Sequence, residues 1–262
     1  MSDAEVEAKF CKVRWPETDG APVCPSCGGL NAYECRRPSG SLRFRCRACK
    51  GDFSITSGKL FTSHKLPLRG CLAAIAIFCN EVKGKTALAI SRDLGLSYKT
   101  AFVLLHKLRE AMAEGMKGRK LGGDGVVIIR ERNGRSLPAV FRTERQALSF
   151  IRSRIAKGTI INADEGSSWD ALHAQYEMKR INHEEAYSLD GACTNWAEEF
   201  FSRMRRAEQG HHHLLRYAQD VSWREDHRRI SNGDQVHLVS GLAMKRGPSV
   251  DFCGYWQRGN MA

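Results

Sequence analysis

Two cysteine pairs, Cys24-Pro25-Ser26-Cys27 and Cys46-Arg47-Ala48-Cys49, decide how the first part of this chain folds. Each pair spaces its thiols by two residues, and 18 residues separate the pairs. This is the spacing with which four thiolates surround one zinc ion tetrahedrally. The sequence therefore predicts a structural Zn2+ bound by Cys24, Cys27, Cys46 and Cys49.

The segment between the pairs predicts a β-hairpin that completes a zinc ribbon. Residues 33–35 and 42–46 flank a Pro38-Ser39-Gly40 turn, and polar and apolar side chains alternate after it. Arginines, Arg43 and Arg45 among them, fall on the exposed face of this hairpin. They are candidates to bind DNA phosphates; the alternative is a ribbon that is purely structural.

A compact helix-turn-helix pattern follows the ribbon. Helical periodicity begins at Leu68, then Thr86 caps one helix, Gly95 makes a turn and Ser97 caps a second helix. The second helix buries a stripe of Ala101, Leu104, Leu105 and Leu108. Its opposite face carries Lys99, Thr100 and Lys107, which are candidates to contact DNA in the major groove. The alternative is an ordinary helical hairpin.

Charge and composition favour a nucleic-acid partner. Residues 24–120 contain 18 basic and six acidic residues, which accounts for the net charge of +12 of the whole chain. Such a segment suits a polyanion, and its binding should weaken as salt rises. The sequence has no apolar run of about 18 residues and begins with an acidic segment, so we expect a cytoplasmic protein with no membrane span and with reduced cysteines.

The second half of the sequence predicts short strands alternating with helices. The expected order is a hairpin (126–130 and 136–142), a helix (143–155), a strand (159–163), a short helix, a strand (178–181) and a helix (194–207). This order is compatible with an RNase H-like α/β domain. Asp164 ends a predicted buried strand, and Glu198 lies on the last of these helices. Hard carboxylate oxygens are the ligands that Mg2+ needs in two-metal phosphoryl transfer.

Several motifs together resemble a known family. They are the two cysteine pairs, the helix-turn-helix, Asn162-Ala163-Asp164-Glu165, Lys179-Arg180-Ile181-Asn182-His183 and Thr194-Asn195-Trp196-Ala197-Glu198. In this order they resemble bacterial insertion-sequence transposases of the DDE group that carry an N-terminal zinc ribbon.

The resemblance implies metal-dependent DNA cleavage and strand transfer by three acidic residues on an RNase H-like fold. The metal ions would be Mg2+ or Mn2+, and the substrate would be double-stranded DNA at the terminal inverted repeats, bound by a homo-oligomer. It makes Asp164 the second acid, Glu198 the third and Asn195 a further or substitute ligand. It also makes His183 and Arg205 DNA or phosphate contacts.

The sequence departs from this family at the first acid. Family members carry that acid within the first strand of the catalytic sheet, between the helix-turn-helix and the first hairpin. Here Leu121-Gly122-Gly123-Asp124-Gly125 runs directly into the hairpin, and Asp124 precedes a strand instead of lying inside one. Two acids bind one metal poorly and cannot bridge two, so we expect an incomplete catalytic domain with weak or no activity.

The fold class predicted is thus a multi-domain α+β chain: zinc ribbon, helix-turn-helix and a truncated RNase H-like domain. The expected boundaries are an N-terminal segment at 1–18, the ribbon at 19–60, the helix-turn-helix at 61–120 and the transposase domain at 121–262. Near the end of the last domain, Glu225 and Asp226 read as part of an exposed helix of mixed charge. Two other functions stay open: a DNA-binding regulator without catalysis, and a nuclease on the same fold.

Overall fold

The computed structural model describes residues 1–81, 84–114, 125–132, 134–182, 193–207 and 213–253. The chain forms two compact units, one from residues 1–114 together with 230–262 and the other from residues 115–229. None of the helices in the described ranges combines the length and the apolar composition that a membrane span requires.

The described residues form helices and strands in both units. The first unit contains α1 (Asp3–Arg14), β1 (Ala32–Arg36), β2 (Leu42–Cys46), β3 (Asp52–Phe53), α2 (Leu68–Asn80), α3 (Ala87–Asp93) and α4 (Tyr98–Met112). The second contains β4 (Gly125–Arg130), β5 (Ser136–Phe141), α5 (Leu148–Arg154), β6 (Ile160–Asp164), β7 (Glu177–Ile181), α6 (Asn195–Ala207) and α7 (Leu214–Asp226). The last helix, α8 (Asn232–Lys245), belongs to the first unit.

The ribbon is a three-stranded antiparallel sheet in the order β1-β2-β3, packed against the end of α1. Its apolar core is an aromatic cluster in which the ring of Trp15 meets Phe44 edge-on at 5.7 Å and Phe53 at 6.3 Å. Arg14 donates hydrogen bonds to the carbonyls of Ser54 and Ser57, which fastens the loop after β3 to the helix. The ribbon is therefore continuous with α1.

The two capped helices form where the sequence predicts them. The Oγ1 atom of Thr86 accepts a hydrogen bond from the amide of Ala89, and the Oγ atom of Ser97 accepts one from Thr100. These bonds satisfy backbone N–H groups that have no partner inside the helix. Gly95, with φ of +62°, makes the turn between α3 and α4. The predicted stripe is fully buried: Ala101, Leu104, Leu105 and Leu108 are at most 1% exposed.

Helix α8 returns to the first unit and packs against α1, α2 and α4. Beyond it, Ser249 donates a hydrogen bond to the Glu110 carboxylate at 2.8 Å, and Arg246 pairs with Glu114 at 2.8 Å. The ring of Phe252 stacks on His106 at 5.3 Å. Residues 230–253 thus cover α4, whereas the sequence analysis assigned them to the transposase domain, because these contacts join residues more than 100 positions apart.

The second unit contains two small sheets. Strands β4 and β5 form an antiparallel hairpin, and β6 and β7 form a parallel pair. The strand and helix positions agree closely with the predicted order. An RNase H-like domain should join such strands in one sheet, but no hydrogen-bonded ladder joins the two pairs within the described part of the chain.

The β4-β5 hairpin has an apolar cluster on each face. One cluster is centred on Phe141 and Phe150 and includes Val127 and Ile129 of β4 together with Ile161 of β6. The other is formed by Val126, Ile128, Val140, Phe200, Met204, Leu214, Ala218 and Val221. Alternate side chains of one strand therefore enter two different clusters, as the period of two of a β-strand requires.

Glu225 is a structural residue, contrary to the reading of its segment as an exposed helix of mixed charge. Its side chain is only 8% exposed and lies within ion-pair distance of Arg130 and Arg228, at 3.4 and 3.7 Å, and of Arg203. Arg130 comes from β4 and Arg203 from α6, so the carboxylate joins α7 to two other elements. A buried carboxylate requires such partners, because burial without them is strongly unfavourable.

His64 is held neutral in the first unit. Burial, with the charge of Lys107 as a second cause, lowers the pKa of His64 from 6.5 to about 4. Its Nδ1 atom accepts a hydrogen bond from the amide of Leu66 at 3.2 Å, which only the neutral ring can do. Because the folded protein binds this proton less tightly than the unfolded chain, the stabilisation is complete above pH 6.5 and is lost as the pH falls towards 4.

We expect the free energy of unfolding of the first unit to fall by about 2 kcal/mol between pH 7.5 and pH 5 because of His64. Replacing His64 with Asn keeps an acceptor for the Leu66 amide but removes the titrating ring. Urea denaturation of both chains at the two pH values measures the effect, and contributions shared by both chains cancel in the difference. Equal pH dependence in the two chains would contradict the assignment.

Candidate metal centre and DNA-binding surface

The four predicted cysteines converge at one point of the ribbon. Their Sγ atoms all lie within 4.8 Å of one another, and Cys24–Cys49 and Cys27–Cys46 are each 3.6 Å apart. Four sulfurs bound tetrahedrally to zinc at 2.3 Å would be separated by about 3.8 Å. The thiol groups therefore fit a zinc ion, and the zinc ribbon with its four-cysteine cluster supports a structural Zn2+.

The two knuckles have matching backbone geometry. Gly28 has φ of +72° and Lys50, at the equivalent position of the second knuckle, has φ of +59°. The amide of Cys24 donates to the Gly29 carbonyl at 3.0 Å, and the amide of Cys46 donates to the Gly51 carbonyl at 2.9 Å. The curled backbone turns its own amides towards the sulfurs, which is the second-shell pattern of a metal site.

These amides favour thiolates. The amides of Ser26 and Cys27 lower the pKa of Cys24 to about 6, and the amide of Cys49 is the main cause that lowers the pKa of Cys46. The Gly29 amide also lowers the pKa of Cys27, but the neighbouring sulfurs outweigh it and raise that pKa to about 12. The repulsion between crowded thiolates is what a bound divalent cation offsets.

The predicted DNA-binding arginines of the ribbon are both near one acid. Arg43 forms an ion pair with Asp52, and Arg45 lies 3.9 Å from the same carboxylate. The side chain of Arg45 is 47% exposed and that of Arg43 37%. Both reach solvent, but the positive charge that this face offers to a phosphate is reduced by Asp52.

The first turn of α4 is exposed, whereas its later turns are covered. Lys99 is exposed, Thr100 is half-buried, and Tyr98 is 57% exposed. Lys107 was predicted to share this surface, but it is only 2% exposed because α4 is enclosed in its C-terminal half. Lys107 therefore cannot contact DNA in this fold, and its charge acts on His64 instead. Tyr98 is a surface residue that the sequence analysis missed; its place directly after the cap at Ser97 was the available signal.

Asp164 lies at the carboxyl end of β6 with its side chain oriented by two donors. Its Oδ1 atom accepts hydrogen bonds from the indole Nε1 of Trp169 at 2.9 Å and from the amide of Gly166 at 3.4 Å. Arg180 of β7 donates to the backbone carbonyls of Asp164 and Gly166 and pairs with Asp170 at 2.7 Å. The loop after β6 is thus fixed by Arg180, a role that the sequence did not indicate.

Glu198 and Asn195 lie in the first turn of α6, as predicted. Both are exposed, and a carboxylate oxygen of Glu198 accepts a hydrogen bond from the hydroxyl of Thr194 at 3.3 Å. Arg205 is exposed on the same helix. Helix α6 packs on β4 and α7.

A three-acid site for Mg2+ or Mn2+ is not formed by the described residues. Apart from the four cysteines, they contain no group of three or more His, Cys, Asp or Glu side chains close enough to bind a metal ion. Asp124 and His183 lie outside the described residues, as do His211 and His212. The described acids therefore do not form a two-metal centre.

Comparisons with known proteins agree with the order of these features. The transposase zinc-ribbon domain matches residues 1–51, and the ISXO2-like transposase domain matches residues 101–226. No curated protein and no solved structure matches the chain. The first match contains the four cysteines, and the second contains Asp164, Asn195 and Glu198. The chain belongs to the insertion-sequence DDE transposases that carry an N-terminal zinc ribbon.

Proposed function

We propose that this protein binds the terminal inverted repeats of an insertion sequence through its first unit and that it cleaves and joins DNA poorly by itself. The observation that carries the proposal is the presence, in one compact unit, of a four-cysteine zinc centre and a capped helix pair with an exposed first turn on α4. The ribbon provides one surface for DNA contact, and α4 provides a helix that fits the major groove.

Charge supports DNA as the ligand of this unit. Within this unit, residues 24–114 contain 15 basic and six acidic residues, and Lys99 is exposed beside Tyr98 at the start of α4. Positive side chains at this position meet phosphates, while Tyr98 and Thr100 offer groups that can meet base edges or the sugar.

Poor catalysis is supported by the second unit. Asp164 ends β6 and Glu198 lies in the first turn of α6, but among the described residues the two strand pairs are not joined in a sheet and the acids form no three-ligand group. Phosphoryl transfer by two metal ions requires ligands that bridge both ions. A DNA-binding protein that occupies element ends without efficient transfer is the function that this geometry favours; a nuclease would need the same ligand set.

Zinc should be required for the fold of the ribbon. We expect Cys46→Ser to lose the metal and the β1-β3 structure, since structural zinc sites contribute on the order of 10 kcal/mol to folding. The matched control is Cys35→Ser, because Cys35 lies on β1 but outside the cluster. Elemental analysis should find one zinc per chain in the wild type and the control and none in Cys46→Ser. Full zinc content in Cys46→Ser would contradict the site.

Lys99 should contribute one phosphate contact. We expect Lys99→Ala to weaken duplex binding and to reduce the slope of log affinity against log salt by about 1. The control is Lys12→Ala, which removes an exposed lysine from α1. Fluorescence anisotropy with terminal-repeat duplexes over a salt series measures the affinity and the salt slope of the wild type and of each variant. Identical slopes for wild type and Lys99→Ala would argue against α4 as the DNA-contacting helix.

Strand transfer should be weak. With a supercoiled donor plasmid and Mg2+ or Mn2+, we expect tight DNA binding but little cleaved or joined product on agarose gels. Efficient joining that Asp164→Ala and Glu198→Gln both abolish would refute impaired catalysis, and cleavage without joining would favour the nuclease.

A further inference from the structure

The two outer edges of the β4-β5 hairpin differ in whether a further strand can pair with them. The turn is closed by a hydrogen bond from the Glu131 amide to the Arg135 carbonyl at 3.0 Å, which makes these residues a hydrogen-bonded pair. Hydrogen-bonded and non-hydrogen-bonded pairs alternate along an antiparallel ladder. With the register of the hairpin, the backbone groups of Val126 and Ile128 therefore point away from β5, and those of Ser136, Pro138 and Val140 point away from β4.

The outer edge of β5 is closed to further strands. The amide of Ser136 donates to the Asp226 carboxylate at 3.0 Å, and Pro138 has no N–H group at all. Helix α7 packs along this strand. A proline and a carboxylate that binds an outward amide are devices by which proteins prevent pairing at a sheet edge.

Within the described ranges, the outer edge of β4 has neither of these two devices. Among the described residues, no group donates to or accepts from the outward backbone groups of Val126 and Ile128. The run Val126-Val127-Ile128-Ile129 carries no charge, and the charge of Arg130 is engaged by Glu225. Both faces of the strand are already covered by the two apolar clusters, so what the strand lacks is a neighbour in the plane of the sheet.

We propose that β4 pairs with β4 of a second copy of this chain, giving an antiparallel four-stranded sheet in the order β5-β4-β4-β5. The outward groups lie on even-numbered residues, which allows a two-fold axis through Ile128. That register puts Val127 opposite Ile129 and Arg130 opposite Val126, so apolar side chains meet and like charges do not. It also continues each apolar cluster across the axis, because directly opposed residues share one face of the sheet.

A second copy fits this edge better than an unrelated chain. The edge offers backbone groups and uncharged side chains, with no charged group to select a foreign sequence. A second β4 carries its outward backbone groups on the same residues, so one two-fold register lets both copies form their hydrogen bonds. An interface of this type is closed, so the association should stop at a dimer.

Sedimentation of the zinc-loaded full chain, freed of nucleic acid and in high salt, tests the proposal. We expect a mass twice the 29.4 kDa of one chain. Ile128→Pro removes the outward N–H group and should give a monomer, while Ile128→Ala loses a similar amount of side chain, keeps the N–H group and should stay dimeric. A monomeric wild type, larger assemblies, or equal loss of dimer in both variants would overturn the proposal.

Amide hydrogen exchange of the wild type provides a second readout that does not depend on the folding of a variant. The amides of Val126 and Ile128 should exchange at least about tenfold more slowly at high than at low protein concentration. The amides of Val127 and Ile129, which bond to β5, should be protected at both. Concentration-independent exchange at Val126 and Ile128 would overturn the proposal even if the proline variant failed to fold, which circular dichroism checks.

Discussion

The contact between four thiol groups is the constraint on which the first unit depends. The ribbon has only five residues in each of its longer strands and one cluster of three aromatic rings, centred on Trp15. So little apolar burial does not hold a sheet of this size by itself. A metal ion that joins the two knuckles fixes the hairpin between them, and the hairpin then presents Phe44 to Trp15 and its loop to Arg14. The position of α1 follows from these contacts.

Features decided by neighbouring residues could be predicted from the sequence. The cysteine spacing identified the metal ligands, and Thr86, Gly95 and Ser97 marked the ends of α3 and α4 because each acts on a backbone group a few residues away. Alternation and turn residues likewise located the β4-β5 hairpin. For the site, this local information was enough to find the zinc centre and to position Asp164 at the end of a strand.

Features decided by distant residues could not be predicted. Lys107 lies on the face of α4 that the sequence pattern marks as exposed, but the fold buries it, and its charge acts on His64 and Cys71. Glu225 reads as one of several charges on a helix until Arg130 and Arg203 are brought beside it. Strand pairing is of the same kind: a strand's sequence indicates that it forms, while its neighbours depend on the whole chain.

The return of α8 also constrains the order in which the protein can mature. The first unit is discontinuous, since residues 1–114 are completed by residues 230–253, and the second unit is inserted between them. During synthesis the ribbon can acquire its metal early, but α4 keeps an open side at His106 and Glu110 until the ribosome has produced the whole second unit. Only a nearly full-length chain can therefore assemble the helical part of the first unit.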